Sequence, residues 1–326
     1  MGLLDVIWMV AKILIIFAVL LLAMAYLTLV ERRFVAWFQW RLGPNRAGPW
    51  GLIQPIADGV KLLLKQEIIP AKADRLVYLL APAVSLIAAF SIVSVIPITE
   101  NFFIADVNVA LLLVLALSSL GTYGIILAGW SSGSKYPFLA ALRSCAQMIS
   151  YELALGFSVI GVILLAGSLS LRDIVLQQEG IWYIVPQLLG FAVFLVAGVA
   201  ETNRAPFDMP ECESELVAGY HTEYSSMKFA MFFLGEYVAI INIGMLAAVL
   251  FLGGWQGPLL FGAQLAGLSH LFWFLVKTFA VIFFFIWVRA TLPRFRYDQL
   301  MRFGWMVLLP LALLNIVITA AIRAFF

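Results

Sequence analysis

Eight stretches of the chain, at about 5–30, 76–98, 108–130, 146–167, 181–200, 228–252, 268–290 and 303–324, stay apolar over the roughly 20 residues that a helix needs to cross a ~30 Å hydrocarbon core. No other feature constrains the fold as tightly, because in lipid every backbone N–H and C=O must find its partner within the protein, and a segment of this length does so as a helix. The charge content agrees: 12% of the 326 residues are charged and 64% are hydrophobic, against about 25% charged in a water-soluble domain. The predicted fold class is an all-α polytopic membrane protein, a single integral membrane domain over residues 1–326 with eight transmembrane helices. The apolar run from Leu3 to Val30, broken by Asp5 and Lys12, is too long for a signal-peptide core and lacks a basic leader. It is expected to be a retained, tilted first helix.

The basic residues give the orientation. Of 20 Lys and Arg, eight fall in the first connection (31–75), two in the third (131–145), two in the fifth (Arg204 and Lys228) and four in the seventh (289–302). The opposite side holds Arg172 and Arg323, and Lys12 and Lys277 lie within spans. The positive-inside rule then places the odd connections on the cytoplasmic or matrix face and both termini on the other.

The first connection carries a helix of its own. In "GLIQPIADGVKLLLKQE", Ile53, Ile56, Val60 and Leu63 or Leu64 recur at helical spacing, with Asp58, Lys61 and Lys65 opposite. This pattern predicts an amphipathic helix lying in the membrane interface, either as a working element or as a basic anchor on anionic headgroups. Ahead of it, "ERRFVAWFQWRLGPNRAGPWG" sets Glu31, Arg32, Arg33, Arg41 and Arg46 beside Trp37, Phe38 and Trp40, with Gly43-Pro44 and Gly48-Pro49 as turns.

The fifth connection (201–227) is the anomaly, because it is acidic on the face where basic residues are expected. Six of the 18 acids, Glu201, Asp208, Glu211, Glu213, Glu215 and Glu223, lie between Ala200 and Phe229. Below it, at about 1.5 Å per residue, Glu152 lies about 13 Å beyond Arg143, Glu236 about 12 Å beyond Lys228 and Lys277 about 18 Å before Arg289. Those three are expected in one layer near the midplane, where a charge costs about 2.5–3.5 kcal/mol unless it is paired or faces a wet cavity. One reading is a structural Glu–Lys pair. The other is a proton relay descending from the cluster, with Glu211 and Glu215 on one face of a short helix begun near Pro210. Glu211, Glu213 and Glu215 could equally be first-turn acids complementing a helix dipole, with Asp208 as its cap.

Several chemistries fall away. A net charge of +2 does not suggest a nucleic-acid partner. Cys145 and Cys212 form no CxxC pattern, so a disulfide framework, a zinc site or an iron–sulfur cluster held by this chain is not indicated. His221 belongs to the acidic connection and His270 to the far end of the seventh span, which excludes a bis-histidine haem. His221 is expected to be a solvated loop residue.

The motifs "ERRFVAWFQWRLGPNRAGPWGLIQPIADGVKLLLKQ", "AETNRAPFDMPECESELVAGYHTEY" and "RATLPRFRYDQLM" occur in this order, each on an odd connection. On them, and over nearly its whole length, the chain resembles the H subunit of respiratory complex I, the proton-pumping NADH:quinone oxidoreductase. The resemblance implies a multi-pass subunit of the bacterial inner membrane, or of the mitochondrial inner membrane, at the junction with the peripheral redox arm. It implies quinone as substrate, with the flavin and iron–sulfur clusters on peripheral-arm partners and no metal or haem on this chain. Further partners would be other membrane-arm subunits, antiporter-like ones among them. By motif match, Glu31, Arg32, Arg41, Asp58, Arg289 and Arg294 would line the quinone chamber or its entrance, with Asp208 near it. Glu152, Glu201, Glu211, Glu213, Glu215, Glu223 and Glu236, with Lys277, would mark the proton path.

The chain departs from the family pattern at Ala36, where Gly is usual, at Ala47, where Val is usual, and at Cys212, Ser214 and Ser226 in "ECESELV" and "TEYSS". The acids are unaffected. Two other readings compete: the ion-translocating membrane subunit of an energy-converting hydrogenase, and an independent secondary transporter, which would show inverted repeats with paired broken helices. No such pair is visible.

Overall fold

The computed structural model describes residues 3–100, 102–209, 216–260 and 265–325. Among these every regular element is helical, and the sole bridge pairs Thr99 with Phe102. The elements are α1 (Leu3–Phe38), α2 (Gln54–Leu64), α3 (Arg75–Val93), α4 (Ala110–Ser131), α5 (Lys135–Ala166), α6 (Leu171–Leu176), α7 (Leu188–Glu201), α8 (Ser226–Phe251), α9 (Ala266–Thr291) and α10 (Tyr297–Phe325).

Among the described residues seven helices, α1, α3, α4, α5, α8, α9 and α10, are long and apolar enough to cross a membrane. The expected fifth span is shorter than its apolar run: α7 has 14 residues, about 21 Å of rise against a ~30 Å core. Before it, residues 183–187 form turns, because the Ile184 N–H donates to Phe251 O (2.8 Å) and the Gln187 side chain is committed to the last helix, donating to Thr319 Oγ1 (2.6 Å) and accepting from Asn315 Nδ2 (2.7 Å). Two other helices outrun their expected ends. α1 continues past Val30 through Glu31 and both arginines to Phe38, and α5 starts at Lys135 rather than near 146. α10 holds a π-helical turn, Gly304–Leu308, against α5, where the Trp305 indole donates to Ser150 Oγ (3.1 Å) and Tyr151 Oη donates to Leu300 O (3.0 Å).

α8 is the hub. Every residue from Ile240 to Phe251 is buried, and α8 packs on α1, α2, α3, α7 and α9. Helices approach closely where a side chain is missing, the usual arrangement in lipid. A Cβ on Gly129 would sit 2.3 Å from Ala141 Cβ, which is why α4 and α5 close into a tight hairpin. The first connection contains a helix, α2, and Ile53 at its N-cap with Ile56, Val60, Leu63 and Leu64 on it are left uncovered by the rest of the chain.

Candidate functional site

The three motif connections meet. Glu31, in α1 one turn below its aromatic end, accepts Arg289 from the last turn of α9, and Arg204 Nη1 approaches it to 3.5 Å. Glu31 and Arg204 are 7% and 6% exposed, so this side of the ion triad is nearly dry, while Arg289 is 34% exposed. The Arg204 guanidinium also lies 4.4 Å over the Tyr237 ring. Beside it, Arg294 Nη2 donates to Asp208 Oδ2 (2.7 Å), and Phe207 stacks on Phe295 (5.7 Å). Arg289 and Arg294 are close enough for their charges to interact. Arg32 Nη1 donates to Asp58 Oδ2 (2.7 Å), tying α2 to α1, and Gln54 Nε2 holds the other oxygen (3.1 Å). Arg41 stands apart: it is exposed in the turn after α1 and donates to Gln39 Oε1 (2.8 Å).

A second group of acids lies deeper. Ser119 Oγ and Thr122 Oγ1, one helical turn apart on α4, donate to the two oxygens of Glu152 (3.0 and 3.1 Å). Glu201, buried at the end of α7, is close enough to Glu152 for their charges to interact. A cavity of about 80 Å³ is lined by Glu201 and Glu236 together with Ser118, Asn203, Tyr220 and Asn242, polar enough and large enough for water. Tyr220 Oη donates to Glu236 Oε1 across its edge (3.2 Å).

One short segment joins the two groups. After α7 the chain turns at Asn203, in the left-handed region (φ +52) that Asn tolerates. It is pinned to α5 by Gln147 Nε2, which donates to Ala200 O (2.9 Å) and Phe207 O (2.7 Å). Glu201 therefore faces the cavity, Arg204 the ion triad and Asp208 the arginine of the seventh connection.

The remaining candidates fall elsewhere. Lys277 does not share a layer with Glu152 and Glu236: its ammonium donates to Gly254 O (3.0 Å) and Gln256 O (2.6 Å), just past the end of α8, and lies 4.3 Å over Trp182. Glu236 is 15 residues before that end, about 22 Å away along the helix. Lys277 satisfies two carbonyls of the loop that follows α8, which replaces the Glu–Lys pairing considered from sequence. Glu223 is half-buried, with its carbonyl accepting from Tyr78 Oη (2.7 Å). Glu211, Glu213 and Glu215, with the helix start near Pro210 and Cys212 and Ser214, lie outside the described residues. No group of three His, Cys, Asp or Glu that could hold a metal occurs among the described residues.

His221 is not a solvated loop residue. Its ring is half-buried and meets Tyr220 (5.0 Å) and Phe229 (5.2 Å) edge-on, and burial lowers its pKa to about 4. The unfolded loop takes up a proton near pH 6.5 that the folded loop refuses until about pH 4, so the stability this ring confers is complete above pH 6.5 and drains away as pH falls, by up to about 3 kcal/mol. Amides 216–225 are expected to lose protection from hydrogen exchange over that interval, after correction for intrinsic exchange, and His221→Gln to flatten the change. An unaltered pH profile in the variant would refute this.

Sequence reasoning missed Arg204, taken only as a topology marker, and the hydroxyls of Ser119, Thr122 and Tyr220. For Arg204 a signal existed, a single arginine inside an acid-rich motif. For the hydroxyls there was none, because a Ser or Thr on an apolar helix looks the same whether it bonds its own backbone or a distant acid.

The family model described as NADH dehydrogenase matches residues 11–320. Among curated relatives, the NADH-quinone oxidoreductase H subunit of Thermomicrobium roseum is 54% identical over 324 residues, covering 94% of this chain and 93% of its own. The second such H subunit of Geobacter sulfurreducens is 53% identical over 324 residues, covering 97% and 96%. That of Paramagnetospirillum magneticum is 52% identical over 307 residues, covering 94% and 89%.

Proposed function

The chain belongs to the family of NADH-quinone oxidoreductase H subunits, and on that premise we propose that it forms the quinone chamber of the complex and couples quinone reduction to proton translocation. It is a membrane-embedded subunit of an oxidoreductase, with quinone as the substrate of the assembly and other complex I subunits as partners. The observation that carries the reading is the buried segment from Glu201 to Asp208, whose side chains connect the ion pairs of the motif connections to the carboxylate-lined cavity.

In this reading Glu31, Arg32, Asp58, Asp208, Arg289 and Arg294 surround the quinone chamber or its entrance, with Arg41 at the outer rim. Glu152, Glu201, Glu223 and Glu236 form the proton path, joined by Glu211, Glu213 and Glu215. Arg204 and Tyr220 enter as linking groups, and Lys277 takes the supporting place described above. Reduction of a quinone takes up two protons, and a transiently anionic headgroup beside carboxylates changes their proton affinity. The fifth connection, held by ion pairs at one end and facing the cavity at the other, is suited to pass that change inward. α7 together with the turns before it counts as the eighth crossing, because only an even number keeps the four basic connections on one face, here the cytoplasmic or matrix side of the inner membrane. α2, with one apolar face uncovered, lies in the interface. The redox-active partners would carry the flavin and iron–sulfur clusters, and the antiporter-like subunits would continue the proton path.

Arg294→Gln in the assembled complex tests the chamber. It removes the charge-assisted bond to Asp208, worth about 1.5–3 kcal/mol. NADH:quinone activity is expected to fall about tenfold or more, with reduction of an artificial acceptor by the peripheral arm unchanged. Equal rates for variant and parent with quinone would remove this pair from the chamber.

A further inference from the structure

α1 and α9 meet at their motif ends. Near the motif connections Phe34 meets Phe283 and Phe279 (ring centroids 5.0 and 6.5 Å), and Glu31 holds Arg289. Below that the helices part and leave a crevice of about 800 Å³, lined on α1 from Ile15 to Val30 and floored by Met245 of α8. Its α1 wall is about 22 Å long. It opens sideways, with Val19 and Leu275 59% and 55% exposed.

One cation marks its axis. At 100° per residue, Lys12, Val19, Ala23 and Val30 fall within about 40° of one another on α1, so Lys12 stands on the lining face one turn beyond the last lining residue. Its ammonium lies 5.9 Å over Trp8, a pairing of basic and aromatic side chains suited to headgroup depth. Lys12 is 19 residues before Glu31, about 29 Å of helix and close to the thickness of the hydrocarbon core.

We propose that this crevice is a phospholipid site, in which an acyl chain lies between α1 and α9 and the lipid phosphate pairs with Lys12 at the membrane surface opposite the motif connections. The walls favour a hydrocarbon over a polar solute, because Tyr26 and Thr278 are the lining residues that carry a polar side-chain atom. The charge favours an anionic headgroup over a zwitterionic one.

A photoreactive amino acid at Val19, in the assembled complex reconstituted into vesicles with phosphatidylcholine in excess over phosphatidylglycerol, tests the assignment by mass spectrometry of the irradiated peptide. The expected product is a phospholipid adduct enriched in phosphatidylglycerol relative to the vesicle. Lys12→Gln is expected to lower that enrichment about fivefold, the equivalent of ~1 kcal/mol for a surface lysine, and Ala23→Trp, which fills the crevice, to abolish the adduct. An adduct to a protein helix or to quinone, adducts with no headgroup preference, or no adduct at all would overturn the proposal.

Discussion

Replacing Glu31 by alanine in the assembled complex is expected to cost about 3–5 kcal/mol, the range for breaking a buried ion pair from one side. The carboxylate is 7% exposed and lies between two guanidiniums, of which Arg204 is 6% exposed. Without it, the Arg204 guanidinium remains buried with little water to replace its partner, beside the like charge of Arg289, which is 34% exposed. Arg32→Ala, one residue along the same helix, removes a pair that is 47% and 26% exposed and is expected to cost under about 1 kcal/mol. Thermal unfolding and recovery of the intact complex distinguish the two. Similar losses for both variants would mean that the triad is solvated in the assembly and that its burial within this chain is not what matters.

The second large effect concerns Glu236. Glu236→Gln keeps a hydrogen-bonding side chain in the cavity and removes the carboxylate that the proposed proton path needs to exchange a proton. Positioned proton transfer contributes about 10²–10⁴-fold, so proton pumping by proteoliposomes is expected to fall about a hundredfold. Tyr220→Phe, which deletes the donor at 3.2 Å, is expected to give a smaller loss in the same direction. Turnover and the proton-to-electron ratio should be measured together, since a coupled enzyme slows when its path is blocked and an uncoupled one does not. Unchanged values of both in both variants would leave the cavity as packing space.

How much was legible beforehand differs between the two groups. The ion pairs around Glu31, Asp58 and Asp208 sit in motifs that stand out as charged and aromatic punctuation between apolar runs, and the residues nominated from those motifs do meet, apart from Arg41. The deeper acids were legible as acids out of place, because a carboxylate at membrane depth is conspicuous in any composition. Their partners were not. Ser119 and Thr122 find Glu152 only because α4 and α5 close on Gly129, and Tyr220 reaches Glu236 from a 3-10 turn, Gly219–His221, that leaves no periodic mark. Lys277 shows the limit of counting depth along a helix: a lysine side chain is long, and its ammonium reached two open carbonyls beyond α8 instead of an acid.

The sequence by itself determined that the chain is membrane-embedded through many apolar helices, how its basic residues are shared among the connections, and which connections carry the charged motifs. These follow from properties of single segments: the length of an apolar run against the thickness of lipid, and the count of charges between runs. Only the tertiary structure decided that Arg204 completes the triad at Glu31, that Glu201 and Glu236 share one cavity while Lys277 stands at the other end of α8, and that an apolar crevice remains between α1 and α9. Those outcomes depend on how far each helix is rotated about its axis and which small residues let its neighbours approach, and in lipid a nearly uniform apolar surface says little about either until the helices are packed together.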